Sequence, residues 1–207
     1  MSQSSRDQIF SKIRAVLPQS SLLPDLNSVG QWQTFVNPSA RFADVLKFVG
    51  GEAVFVKTMA EADAHLRTLP EWNLAKIRCS VVSGLGDSTI DLNAIDDPHD
   101  LENVDFAVLR GHFGVAENGA IWVTDDTVKH RVLYFIPQRL AIAVPASQIV
   151  HNLHEAYERL TVGHHRFAGF ISGPSKTADI EQSLVIGAHG ARSLTVYLVE
   201  EMSKYEP

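Results

Sequence analysis

Apolar positions recur along this chain at two periods, and their succession sets the expected elements. Near the N-terminus Ile9, Phe10, Ile13, Val16 and Leu17 follow helical spacing, which predicts a docking helix. A loop-rich stretch over 18–37 follows, with Pro18, Pro24 and Gly30. Asn37 then Pro38 marks a helix start, an N-cap side chain followed by proline at the first helical position. Phe42, Val45, Leu46 and Val49 form its apolar stripe, and Gly50-Gly51 ends it. Residues 53–56 read as a short buried strand, 60–69 as a helix and 80–83 as the next strand. That alternation predicts βαβ units and a largely parallel sheet.

The second half reads differently. Residues 91–102 are acidic and aperiodic, an exposed loop, and 105–109 is another buried strand. Three short apolar runs, 120–124, 132–136 and 140–144, follow without helices between them, which predicts antiparallel pairing within a mixed sheet. A helix is expected over 147–160. Strands at 167–171 and 194–199 flank a further helix at about 177–186. The expected architecture is α/β: a mainly parallel or mixed central sheet flanked by helices, with one domain over 37–207 and a helix-and-loop appendage over 1–36.

Composition narrows the function. Apolar residues make up 45% of the 207 and charged residues 20%, enough for a substantial core. The net charge of -6, with basic residues scattered, offers no electrostatic footprint for nucleic acid. No apolar stretch approaches the ~18 residues of a membrane span, so no membrane insertion is expected. The first residues lack the apolar run of a secretory signal, and Asp7 interrupts any transit-peptide pattern. Cys79 is the only cysteine and lies in the strand-like stretch RCSVVSG, so it reads as a small core residue. One thiol supplies neither a disulfide nor a cluster ligand set within this chain.

Several segments carry candidate chemistry. Gly84-Leu85-Gly86 follows a strand but lacks the third glycine of a dinucleotide loop, so it reads as a tight turn. Gly173-Pro174-Ser175-Lys176-Thr177 is not a phosphate loop, because Ser175 and Phe170 stand where that motif requires glycine. With a helix opening near Thr177, this turn has two readings. Its free amides would suit an anion, or Ser175 and Thr177 merely cap the helix, with Asp179 and Glu181 complementing the dipole. Such a turn would sit at the carboxyl ends of the strands, where open α/β sheets gather ligands. His151 and His154 lie at i, i+3 on the expected helix, with His164-His165 after its end; they lack the zinc-hydrolase pattern and read as solvated histidines rather than a metal site. Glu117, in the glycine-flanked turn 114–121, is either an exposed turn residue or a nucleophile, base or ligand group.

The block FISGPSKTADIEQSLVIGAHGARSLTVYL, with GVAENGAIWV and AVPASQIVHNLHEAYERL upstream, resembles the lactate-utilisation protein C family, the LUD domain. The resemblance covers roughly residues 104–200 and is most specific in Ser172 to Glu181 and in Gly187-x-His189-Gly190. It implies a NagB/RpiA/CoA-transferase-like fold. It also implies an accessory role in a cytoplasmic system that oxidises L-lactate to pyruvate, alongside iron–sulfur partner proteins that would carry the redox centres. No cofactor is then expected in this chain. The pocket it implies, for a small carboxylate or phosphate-bearing ligand, is lined by Ser172, Gly173, Pro174, Ser175, Thr177, Asp179, Gly187, His189 and Gly190. Where family members commonly read A-E-T-G, this chain has Ala116-Glu117-Asn118-Gly119. That departure resembles the S-E-N-G segment of class I CoA transferases, in which the glutamate attacks an acyl-CoA, and makes Glu117 an alternative catalytic residue. A metabolite-sensing regulator of the same fold is the remaining reading.

Overall fold

The computed structural model describes residues 4–18, 22, 32–160, 163–178, 184–186 and 190–202. The chain divides into two compact units, 1–31 and 32–207. The first contains helix α1 (Ser5–Val16), capped by the Ser4 hydroxyl, which accepts the Asp7 N–H at 3.3 Å. Its stripe of Ile9, Phe10, Ile13 and Val16 is exposed.

The second unit starts as its sequence suggests. Asn37 caps α2 (Pro38–Phe48) by accepting the Ala40 N–H at 3.0 Å, and Phe42 and Leu46 are fully buried on its inner face. Then come β1 (Glu52–Val56), α3 (Met59–Leu66), α4 (Pro70–Leu74) and β2 (Arg78–Ser80). Strand β3 (Phe106–Arg110) precedes the hairpin of β4 (Phe113–Val115) and β5 (Ala120–Thr124). The chain continues through β6 (Arg139–Pro145), β7 (Ile149–Val150), α5 (Leu153–Glu158), β8 (Ala168–Ser172), β9 (Lys176–Ala178), β10 (Leu184–Ile186) and β11 (Ser193–Val199).

The central sheet has the order β1-β11-β6-β3-β2, and every pairing in it is parallel. Alternate residues of its inner strands enter different cores, as a sheet covered on both faces requires. Ala107, Leu109, Leu140, Ile142, Leu194 and Val196 join a cluster with Phe42, Leu46, Ile121 and Val123. Phe106, Val108, Ala141, Ala143, Tyr197 and Val199 join the other, with Ala62, Leu66 and Trp72. Helices α3 and α4 therefore cover one face, while α2 and a second sheet cover the other. That second sheet, β7-β4-β5-β8, is mixed: β4 runs parallel to β7, and β5 runs antiparallel to β4 and β8.

Three expectations are corrected. The run 132–136 is not a strand: Arg131–Tyr134 is a 3-10 turn that buries Leu133 and Tyr134. The helix expected over 147–160 is shortened to α5, because the β-branched pair Ile149 and Val150 joins β4 instead, at Gly114 and Val115. The helix expected at 177–186 is replaced at both ends by the antiparallel pair β9 and β10, with Val185 opposite Thr177 and Ile186 opposite Lys176.

Candidate functional site

The site grows from the turn between β4 and β5. Gly119 adopts a left-handed φ of 65°, and its N–H donates to the Val115 carbonyl at 2.9 Å. The Asn118 side chain accepts the Ala120 N–H at 3.1 Å, closing the turn locally. Because Ala120 pairs with Ser172 across β5 and β8, this turn lies beside the end of β8. There the Ser172 hydroxyl donates to the Asn118 carbonyl at 2.8 Å. Two of the segments singled out in the sequence thus meet.

Chain reversal after Ser172 brings in two more segments. Gly173 has φ 71°, and a Cβ there would stand 2.7 Å from the Val49 carbonyl, so α2 closes directly on the turn. Pro174 packs against Gly50. The Ser175 N–H donates to the Ala191 carbonyl at 2.8 Å, and a Cβ on Gly190 would lie 3.0 Å from Ser175 Cβ and 3.1 Å from the Phe135 carbonyl. Gly50 precedes β1, Phe135 precedes β6 and Gly190 precedes β11. The SGPS turn therefore lies at the amino edge of the parallel sheet, not at its carboxyl edge. Lys176–Ala178 forms β9 where the sequence suggested the start of a helix. Asp179, Gly187 and His189 lie outside the described residues.

Glu117 is exposed, and its carboxylate accepts the Leu153 N–H at 2.9 Å, the first helical amide of α5. The same helix start is completed by Asn152, which accepts the Glu155 N–H at 3.0 Å, and by Glu155, which accepts the His151 N–H at 2.8 Å. A cavity of about 390 Å³ separates Glu117 from the Arg41, Asp44 and Phe48 side of α2.

The histidines do not share a helix face. His151 precedes the cap of α5, and its Nδ1 accepts the Phe35 N–H at 2.9 Å. His154 stacks on Trp32. His165 places Nδ1 2.9 Å from an Asp126 carboxylate oxygen, and donor atoms of Asp125, Asp126 and His165 lie within 4.8 Å of one another. Residue spacing carries no signal of that group. Close to it, the His112 ring is half-buried with Nε2 2.8 Å from the Thr124 hydroxyl, and burial pushes its pKa down to about 4.

A domain with this parallel sheet, mixed second sheet and paired glycine turns matches the LUD domain family over residues 96–199, half of the chain. The chain belongs to that family. It is 30% identical over 106 residues to "Lactate utilization protein C" of Bacillus pumilus (strain SAFR-032), covering 48% of this chain and 44% of that protein. It is 28% identical over 128 residues to "Lactate utilization protein C 1" of Bacillus mycoides (strain KBAB4), covering 57% and 50%. The chain thus spans about half the length of the curated relatives it matches. The fold is shared with a DUF162 family protein from Deinococcus radiodurans, known from a crystal structure, at a TM-score of 0.60 and 21% identity. That likeness covers 78% of this chain and 96% of the other.

Proposed function

We propose that this chain acts as a lactate-utilisation protein C-type subunit, accessory to the oxidation of L-lactate to pyruvate and working with iron–sulfur partner proteins. The observation that carries the reading is the similarity to proteins named for lactate utilisation, together with a family match that spans both meeting turns, Ala116 to Gly119 and Ser172 to Ser175. The single cysteine supports the division of labour, because one buried thiol is no ligand set for a cluster. The layering of a parallel sheet on a smaller mixed sheet supports a NagB/RpiA/CoA-transferase-like ancestry. The hydrogen bond from the Leu153 amide gives Glu117 a structural task, which favours the accessory role over attack on an acyl-CoA.

The test is genetic. Deleting the gene in its own host should stop growth on L-lactate, leave growth on pyruvate intact, and be reversed by this chain alone. Undiminished growth on lactate without the gene would reject the reading.

A further inference from the structure

A second cavity, of about 710 Å³, is lined by residues leading into β3 and β6. Its walls come from the segment leading into β3 (98–102), Asp125 just after β5, the segment leading into β6 (129–136) and Arg166 ahead of β8. Beyond these segments, at the entries to the two strands, the Gln138 N–H donates to the Val104 carbonyl and the Arg139 N–H to the Asp105 carbonyl, at 3.2 and 3.0 Å. We propose that this cavity binds a small organic anion, a carboxylate or a phosphate ester, through Lys129, Arg131 and Arg166.

Charge is the first argument. In a chain of net charge -6, three permanent cations face one cavity. Lys129 is fixed in the wall: its ammonium donates to the Asn93 and Ile95 carbonyls at 2.8 and 2.7 Å, with Asp96 3.8 Å away. Arg131 and Arg166 make no ion pair and no side-chain hydrogen bond among the described residues, so both planar forks remain available for bidentate capture of an oxyanion. Of the two acidic groups on the wall, Asp125 holds a carboxylate oxygen within 4.8 Å of an Asp126 oxygen and a His165 ring nitrogen. The other, Glu102, accepts from the Asn103 side chain at 3.4 Å. The three cations thus outnumber the two carboxylates on the wall.

Size and lining supply the second argument. The volume falls in the range of ~300–1,000 Å³ usual for small-molecule sites, far above the need of one inorganic ion. Val132 and Ile136, both half-buried, give an apolar wall for the ligand's carbon skeleton. The site stands on these walls and not on the lactate reading, so lactate growth and anion binding can fail separately.

Calorimetric titration of the full chain at low salt with citrate and with pyrophosphate tests it. At least one should bind saturably at one site, and Arg131→Gln and Arg166→Gln should each weaken that binding about tenfold or more. Lys57→Gln, exposed just beyond the carboxyl end of β1, should leave it unchanged. Tighter citrate assigns the site to carboxylates, tighter pyrophosphate to phosphoryl groups. Absence of saturable binding of both into the millimolar range, or binding that survives both cavity substitutions in folded protein, overturns the proposal.

Discussion

The Glu117 carboxylate accepts the backbone N–H of Leu153 at 2.9 Å, joining the β4–β5 turn to the first turn of α5. Four amides at a helix start lack partners within the helix, and a carboxylate there is favoured by both hydrogen bonding and the dipole. Glu117→Ala should lower stability by about 1 kcal/mol, with Glu117→Gln intermediate because its amide oxygen still accepts. Chemical denaturation of the three proteins measures this. Intact mass after incubation with acyl-CoA donors should show no adduct, and a covalent thioester abolished by Glu117→Gln would restore the nucleophile reading.

A side chain at Gly173 should be costlier than at another left-handed glycine. Alanine there must hold φ near 71° and place Cβ 2.7 Å from the Val49 carbonyl, a backbone atom that cannot swing away. Gly163 offers the control, with φ 86° and no heavy atom within 4 Å of an added Cβ. Gly163→Ala should cost about 1 kcal/mol, the left-handed penalty alone, and Gly173→Ala roughly 2 kcal/mol or more. Equal melting temperatures for the two variants would show that the contact with α2 yields.

These contrasts mark what the sequence could and could not convey. Helix α2 was legible because a capping asparagine, a proline and a clean stripe agree, and β5, β6 and β11 because short β-rich runs stand alone. The run Val132 to Ile136 is apolar at every position and so carries no period. Its shape comes from Tyr134, whose hydroxyl reaches the Thr124 carbonyl at 3.1 Å and Thr127 Oγ1 at 3.0 Å. Strands β4 and β7 have three and two residues, too few to show alternation. In the 177–186 segment, Asp179 and Glu181 mimic a helix's first turn, while β-branched Thr177, Val185 and Ile186 suit the pleat that forms. Both glycine turns were visible as turns. Their meeting was not, since it depends on the register that sets Ala120 opposite Ser172.

Cys79 should be inert in the folded protein. It is fully buried in β2, and burial pushes its thiol up to about 12, so almost no thiolate exists at neutral pH. Ellman's reagent should leave native protein unlabelled and titrate one thiol per chain in denaturant. Rapid labelling without denaturant would mean that β2, an edge strand of the sheet, opens readily.

His112 should make the fold acid-sensitive. Its pKa falls from the ordinary 6.5 to about 4, chiefly through burial. Asp126 opposes the depression, while the neighbouring Arg110 and His165 deepen it. Between those two values the unfolded chain binds a proton that the native ring refuses, so stability must rise with pH across that window. The neutral-ring contribution is complete above about 6.5 and drains away as pH falls toward about 4. His112→Gln keeps a polar partner for the Thr124 hydroxyl, 2.8 Å from Nε2, without a titrating ring. Melting temperatures measured at the two ends of the window should fall further on acidification in the parent than in the variant. The absolute stability of His112→Gln at neutral pH is immaterial, because the comparison is between slopes. Identical slopes would show that the native ring takes up its proton as readily as the unfolded chain does.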